Sequence, residues 1–375
     1  KEVYEKIDRD IEEALPLVSD ANYSVPKYHF NRSAAYAFAT RFNLYYLKWE
    51  KVVEYASEVL GSDPSTVMRD WSAVKQLPWD SSVRTLDYIS VGHSFNLLMI
   101  PLVTGNGALF HAWSGTGARF THNYRIAKKE TYRAKRPMGG PWDRWGNNCI
   151  EEVYQHPPFI WQGNDVNKIY MPKWPNQWEV TDPVTGVGIG RSTMVAFTTN
   201  ETVLSRAEAY VHLKEYDKAV ADLNAWIGSF YLVGQNGIEP LTRERIAEVY
   251  GDPSSDRYIA EYTALEPTSR KPLHPHGFTV ETGEQEHLIQ STLFCRRIET
   301  IADGLRWGDI KRYGIVVDRF DDSAYNDDNT TGFTVAATLG EKDLRRALQL
   351  PQEVITAGLE ANPRNENRPD HPFCQ

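Results

Sequence analysis

Two long segments of alternating apolar and polar residues at helical spacing constrain this chain most. The stretch "NRSAAYAFATRFNLYYLKWEKVVEYASEVLGSDP" opens with Asn31, a residue that caps helices, and runs Ala-rich with aromatics on one face. It turns near Lys48, then runs again to a Gly61 stop and Pro64. "TTNETVLSRAEAYVHLKEYDKAVADLNAW" repeats the plan, with a threonine or Asn200 as cap, Ala207 and Tyr210 in its first helix, and Tyr216, Ala219 and Leu223 leading its second. Each is expected to fold as a helix hairpin.

Set side by side, "WEKVVEYA" (49–56) and "YDKAVADL" (216–223) share an aromatic, an acid, Lys, a small or β-branched residue, Val, and an apolar residue three later. That order resembles the tetratricopeptide repeat, in which a small residue lets two helices approach and an aromatic fills the gap between repeats. The copies lie much farther apart than one repeat of ~34 residues, so a long insertion separates them. The expected fold is mainly α, with tetratricopeptide-like hairpins as a scaffold, a large irregular loop-rich half and minor β. A third helical block, "EQEHLIQSTLFCRRIETIADGLRWGDIKRYG", carries Leu288, Ile289, Leu293, Ile298 and Ile301 at helical spacing and is expected to end at Gly304.

The insertion, residues 65–198, has another character. Six of the eleven tryptophans fall between Trp113 and Trp178, among Gly, Pro and Asn. Loops of this size are usually functional. "IYMPKWPNQWEVTDP" is expected to contain a short edge strand, where proline is tolerated, with Trp174 and Trp178 as structural rings.

Bulk properties exclude several classes of function. A net charge of -9 argues against a nucleic-acid partner, because phosphate binding relies on clustered Lys and Arg. The longest apolar runs, such as "FNLLMIPLV" (95–103), are far short of the roughly 20 residues a membrane helix needs. Cys149, Cys295 and Cys374 are odd in number and widely spaced, which suits neither a zinc site nor a disulfide framework. The first residues read as helix already under way, with Tyr4, Ile7, Ile11 and Leu15 on one face and no cap before Lys1; a preceding segment is expected.

Tests for catalytic and cofactor chemistry fail. "GNGALFHAWSGTGARFTH" has Gly105/Gly107 and Gly115/Gly117, but Phe110 and Phe120 stand where a dinucleotide loop needs its third glycine. Two turns of a meander, followed by His111 and His122, explain the echo better. There is no G-x-S-x-G elbow and no H-E-x-x-H, and adjacency alone gives Glu151 and Glu152 no shared target. His274 and His276 flank Pro275 as in a surface loop. An EF-hand register from Asp327 fails at its twelfth position, Thr338, leaving only a weak non-EF calcium set of Asp321, Asp322, Asp327 and Asp328. No cofactor and no catalytic residue are expected.

In "RRIETIADGLRWGDIKRYG" charges of both signs enter an apolar helix and the turn after it. Partly buried charges need partners, so Arg297, Glu299, Asp303, Arg306, Asp309 and Arg312 are expected to form an internal ion-pair network, with Trp307 as a plug beside them.

At these residues the sequence resembles the SusD/RagB family of Bacteroidetes outer-membrane nutrient-binding lipoproteins. The matching positions are Arg297, Glu299, Gly304, Arg306, Trp307, Asp309, Lys311 and Arg312; Asp303 replaces a usual Glu and Gly308 a usual aromatic. "YEKIDRDIEEALPLV", the two hairpins and "LQLPQEVITAGLEANP" fit the family's order. The resemblance implies a single N-terminally truncated domain over 1–375: helical scaffold 1–64, 199–230 and 284–313, loop-rich ligand region 65–198, and C-terminal segment 314–375. It also implies an N-terminal lipid anchor outside this chain, a surface-exposed position at the outer membrane, and a SusC-like TonB-dependent transporter as partner.

The function so implied is non-enzymatic capture of an oligosaccharide, or in some members a peptide, and its delivery to that transporter. Sugar rings offer apolar faces that stack on Trp and hydroxyls that pair with amides. Trp142, Trp145, Asn147, Asn148, Trp161, Gln162 and Asn164 are therefore the candidate ligand residues. The alternatives are a tetratricopeptide scaffold for a protein partner and a glycan hydrolase, which would need two carboxylates across one cleft.

Overall fold

The computed structural model describes residues 2–107, 122–142, 152–155, 159–162, 167–170, 173–321 and 334–364. The chain is mainly helical. Helix α1 spans Glu2–Ala14, α2 Arg32–Tyr46 and α3 Trp49–Leu60, with the short α4 (Trp71–Val74) and α5 (Ser81–Tyr88) after them. Next come α6 (Tyr124–Glu130), α7 (Thr199–His212), α8 (Tyr216–Phe230), α9 (Arg243–Gly251), α10 (Glu284–Glu299), α11 (Arg306–Arg312) and α12 (Gln352–Thr356).

Both hairpins form where the sequence signals place them. The Asn31 side chain accepts from the Ala34 amide at 3.0 Å to cap α2, and its own amide donates to Leu97 O at 2.7 Å, tying the helix start to a strand. Gly61 closes α3 at φ +65°, a conformation that favours glycine. Of the expected caps on α7, Thr198 is the one used: its hydroxyl accepts from the Glu201 amide at 3.1 Å. The third block ends earlier than Gly304. Helix α10 stops at Glu299, and the chain reverses through Ala302 and Gly304, both at positive φ, before α11.

The principal core lies where α3, α7, α8, α9 and α10 meet. Helix α7 is buried along nearly its whole length, so its polar residues must find partners inside the protein. Trp226 and Phe230 of α8 stack at 5.0 Å, and rings from the insertion close over them: Trp71 lies 5.4 Å and Tyr154 5.6 Å from Phe230, both edge to face. Such pairs add about 0.5–1.5 kcal/mol each beyond area burial.

Among the described residues of the insertion, regular structure is mostly β. Strand β1 (Asn96–Val103) pairs antiparallel with β6 (Gly188–Thr198), which also pairs with β5 (Gln177–Val180), giving the order β1-β6-β5. The apolar run at 95–103 is thus largely a strand; Pro101 is tolerated because β1 is an edge. The expected edge strand near Trp178 is β5. A second sheet, in the order β2-β4-β3, joins β2 (His122–Asn123), β4 (Asn167–Tyr170) and β3 (Phe159–Gln162). Strands β7 (Val317–Asp321) and β8 (Thr334–Leu339) form a separate ribbon. Among the described residues no helix is long and apolar enough to cross a membrane.

Candidate ligand-binding surface

Three sets of buried charges fasten the loop-rich half and the last helices to the scaffold. The deepest centres on Arg296, whose side chain is wholly buried. Its Nε donates to Asp309 Oδ2 at 3.2 Å and lies 3.6 Å from Glu208 Oε2, while its Nη1 donates to Ser205 Oγ at 3.0 Å and lies 3.8 Å from Glu201. Arg312 donates to both oxygens of Glu208, at 2.5 and 3.1 Å, and to Asp309 at 2.8 Å. Burial opposes ionisation of Glu208 and Asp309, but the two guanidiniums outweigh it and hold both carboxyls below their ordinary range. Tyr313 donates to Glu208 at 2.7 Å and sits 3.0 Å from His212 Nε2; the His212 ring stacks on Trp49 at 4.0 Å.

The second set holds the β2-β4-β3 sheet. Helix α6 follows β2 directly and ends at Glu130, whose Oε2 accepts from Arg297 Nη1 and from Lys271 Nζ, each at 2.7 Å. Burial would raise the Glu130 carboxyl, yet these cations bring it down to about 2. Lys271 is lowered to about 7, first by burial and then by Arg297, despite its carboxylate partner. The two values differ because one carboxylate is shared by two cations, so its own charge is secure while the more buried lysine bears the surplus. Nearby, His122 lies 2.5 Å from Thr131 Oγ1, and burial holds its imidazole down at about 3.

The third set fixes the segment between β4 and β5. Lys173 donates to Glu299 O and, at 2.7 Å, to Asp303 Oδ2, and the Trp174 indole donates to Ala302 O at 3.0 Å. Glu299 itself accepts from the Trp226 indole at 2.8 Å. Gly107 packs so close that a Cβ would lie 2.3 Å from Pro175 O, which accounts for this glycine without any phosphate loop.

The six charged residues expected to form one network are therefore distributed. Asp309 and Arg312 join Arg296; Arg297 joins Glu130; Asp303 joins Lys173; Glu299 meets an indole rather than a cation. Arg306 makes no salt bridge among the described residues, and its Nη1 is buried without a hydrogen-bond partner. The principal cation is Arg296, which the sequence reading passed over. A register argument could have found it, since Ile289, Leu293 and Arg296 step by four and three along α10. Likewise Glu201, Ser205, Glu208 and His212 step by four, three and four along α7, a polar stripe inside a buried helix.

Of the candidate ligand residues, Trp142 is described in full. Arg136, buried, donates to Pro141 O at 3.0 Å and Tyr132 O at 3.1 Å. Gly139 and Gly140, at φ +83° and +85°, turn the chain beneath it, and a Cβ on Gly139 would lie 2.6 Å from Gly237 O. The turn brings Trp142 out half-buried, with Lys135 Nζ 5.1 Å from its ring centroid. Lys135 is fixed in turn by Asp256 O at 2.7 Å. Trp161 and Gln162 lie on β3 opposite Lys168 and Asn167 of β4. Trp145, Asn147, Asn148 and Asn164 lie outside the described residues, as do Asp322, Asp327 and Asp328 of the weak calcium set, while Asp321 ends β7. The two expected structural rings differ: Trp174 is buried, whereas Trp178 is 62% exposed over Gly188.

Comparison with known proteins adds to this geometry. Residues 1–44 match a SusD-like family model described as starch-binding associating with outer membrane. No curated protein matches the chain. The fold is shared with a SusD superfamily protein from Bacteroides thetaiotaomicron VPI-5482, at 16% identity and TM-score 0.50 over 97% of this chain and 66% of that one. It is shared also with a SusD superfamily protein from Bacteroides vulgatus ATCC 8482, at 14% identity and TM-score 0.51, covering 96% and 65%. A candidate sugar-binding protein from that organism matches at 18% identity and TM-score 0.53, again covering 96% and 65%. The chain thus spans just under two thirds of the length of each of these solved chains, and at such identities the likeness is one of fold. Residues 1–44 are thus similar in sequence to a SusD-like family, and the fold is that of solved SusD superfamily proteins.

Proposed function

We propose that the protein is a non-enzymatic binding protein that captures an oligosaccharide at the outer-membrane surface and passes it to a SusC-like TonB-dependent transporter. The observation that carries the reading is the Trp142 turn. A buried arginine and two glycines at positive φ set the turn that leads into a half-buried indole in the loop-rich half. A fixed indole suits the apolar face of a sugar ring, because little conformational freedom is lost on stacking. The outer-membrane association in the matched family's description and the sugar-binding name of one fold relative support the same direction. Single-domain scope, the N-terminal lipid anchor and the transporter partnership belong to this proposal.

Titration of intrinsic tryptophan fluorescence with a panel of neutral oligosaccharides tests it, with unrelated peptides as comparators. Saturable response to at least one oligosaccharide is expected. A response to peptides alone would replace the glycan with a peptide ligand, and saturable binding to a protein with no response to either would favour a scaffold. For the delivery step, a tagged chain is expected to co-purify a TonB-dependent transporter from detergent-solubilised outer membranes.

A further inference from the structure

Strand β5 ends the sheet β1-β6-β5, and all four of its residues, Gln177–Val180, are exposed. Side chains alternate between the two faces of a strand, and the pairing with β6 sorts them. One face carries Trp178 and Val180, opposite Gly190 and Gly188. The other carries Gln177 and Glu179, opposite Arg191 and Ile189, with Glu179 and Arg191 in an ion pair. The first face is therefore free of charge: two apolar side chains, 62% and 51% exposed, beside two glycines. The indole leans across to Gly188, where a Cβ would lie 2.7 Å from its Nε1 and 2.9 Å from its Cε2. It rests on the β6 backbone there and meets no other ring and no cation among the described residues. The hairpin that carries it is closed by its own bonds: the Thr181 and Asp182 amides donate to Val187 O at 2.8 and 3.0 Å, and Asp182 accepts from the Val184 amide at 2.9 Å.

We propose that Trp178 and the outer edge of β5 form a second contact for a neutral oligosaccharide, a pyranose ring stacking on the indole while its hydroxyls meet peptide groups of the edge. The inference rests on the glycan reading above and adds a residue outside the Trp142 turn. An edge strand offers peptide N–H and C=O groups without ladder partners, and an indole beside them makes a mixed surface, apolar next to polar, that matches a sugar. A charge-free face gives an acidic sugar no counterion. An added polypeptide strand would use the same edge, but four residues fall short of the usual strand of about 5–6.

Isothermal titration of the whole chain with six-residue gluco-oligosaccharides of α-1,4, β-1,4 and β-1,3 linkage tests the contact. Trp178→Ala is expected to weaken the best of them about tenfold, and Trp178→Phe, which keeps a ring over Gly188, to retain most of the affinity. Glu179→Gln, on the opposite face, is expected to change nothing. Unchanged affinity in a folded Trp178→Ala protein would overturn the proposal while leaving the glycan reading in place, and so would equal losses in the Ala and Phe variants. If no oligosaccharide binds the unsubstituted chain, the glycan reading fails and this contact with it. Self-association in analytical ultracentrifugation that Trp178→Ala abolishes, with sugar affinity unchanged, would make the edge a strand-pairing surface instead.

Discussion

Arg296 Nε and Glu208 Oε2 lie 3.6 Å apart, on α10 and α7, and neither side chain has any solvent exposure. Removing two charges from water is costly, and the geometry offsets that cost only because Asp309, Arg312, Glu201 and Ser205 complete the set. Replacing one member leaves an uncompensated buried charge. Arg296→Met is expected to lower stability by about 3–5 kcal/mol in urea denaturation. Arg32→Ala, which removes a half-exposed pair with Glu58, is expected to cost no more than about 1 kcal/mol. Equal effects of the two substitutions would contradict the role assigned to Arg296.

Two histidines set an acid limit. Burial lowers His212 to about 4, with Glu208 opposing and Arg312 adding to the effect, and lowers His122 to about 3. Below the ordinary imidazole value of 6.5 the unfolded chain binds protons that the folded chain refuses, so stability rises with pH across this window. It is expected to fall as pH drops from about 6.5 toward 4, by at most about 1.4 kcal/mol per pH unit for each histidine. His212→Asn is expected to flatten that slope when unfolding free energy is measured from pH 4 to 8. Glu130 acts lower: its stabilisation is complete above its ordinary value of 4.5 and is lost as pH falls toward about 2.

Gly139 couples backbone conformation to the ligand surface. At φ +83°, and with Gly237 O 2.6 Å from where a Cβ would sit, Gly139→Ala is expected to cost about 1–3 kcal/mol. Because the same turn leads to Trp142, oligosaccharide affinity is expected to fall even below the melting temperature. Full affinity in a destabilised variant would separate the turn from the site.

Gly308 stands where the resembling family carries an aromatic. A Cβ there would lie 2.9 Å from Tyr45 Cζ and hydroxyl, so the Tyr45 ring occupies the space a side chain at 308 would take. Gly308→Ala is expected to displace that ring, which lies 5.4 Å from the Arg312 guanidinium, and to lower stability by about 1–3 kcal/mol in thermal or urea melts.

The hairpins were legible because their signals are local. Asn31, Gly61 and Thr198 act within four residues of the helix ends they define. The end of α10 was not legible, since the chain turns at Ala302, in a left-handed conformation that an alanine does not advertise. The same limit applies to the buried charges. Glu208 meets Arg312 across 104 residues and Lys173 meets Asp303 across 130, so composition could announce that charges near 300 needed partners without saying which. Trp174 and Trp178 look equivalent in sequence, four apart among prolines, but one faces Ala302 and the other solvent. The contact that buries Trp174 spans 128 residues, so the local sequence does not announce it.

Isothermal titration of the protein and its Trp142→Ala variant with an oligosaccharide selected by fluorescence tests the central claim most directly. Saturable binding by the protein, weakened about tenfold in a variant of unchanged melting temperature, is the predicted result. Absence of binding to every oligosaccharide offered, or equal affinity in the variant, would contradict the assignment of this turn as a glycan-binding surface.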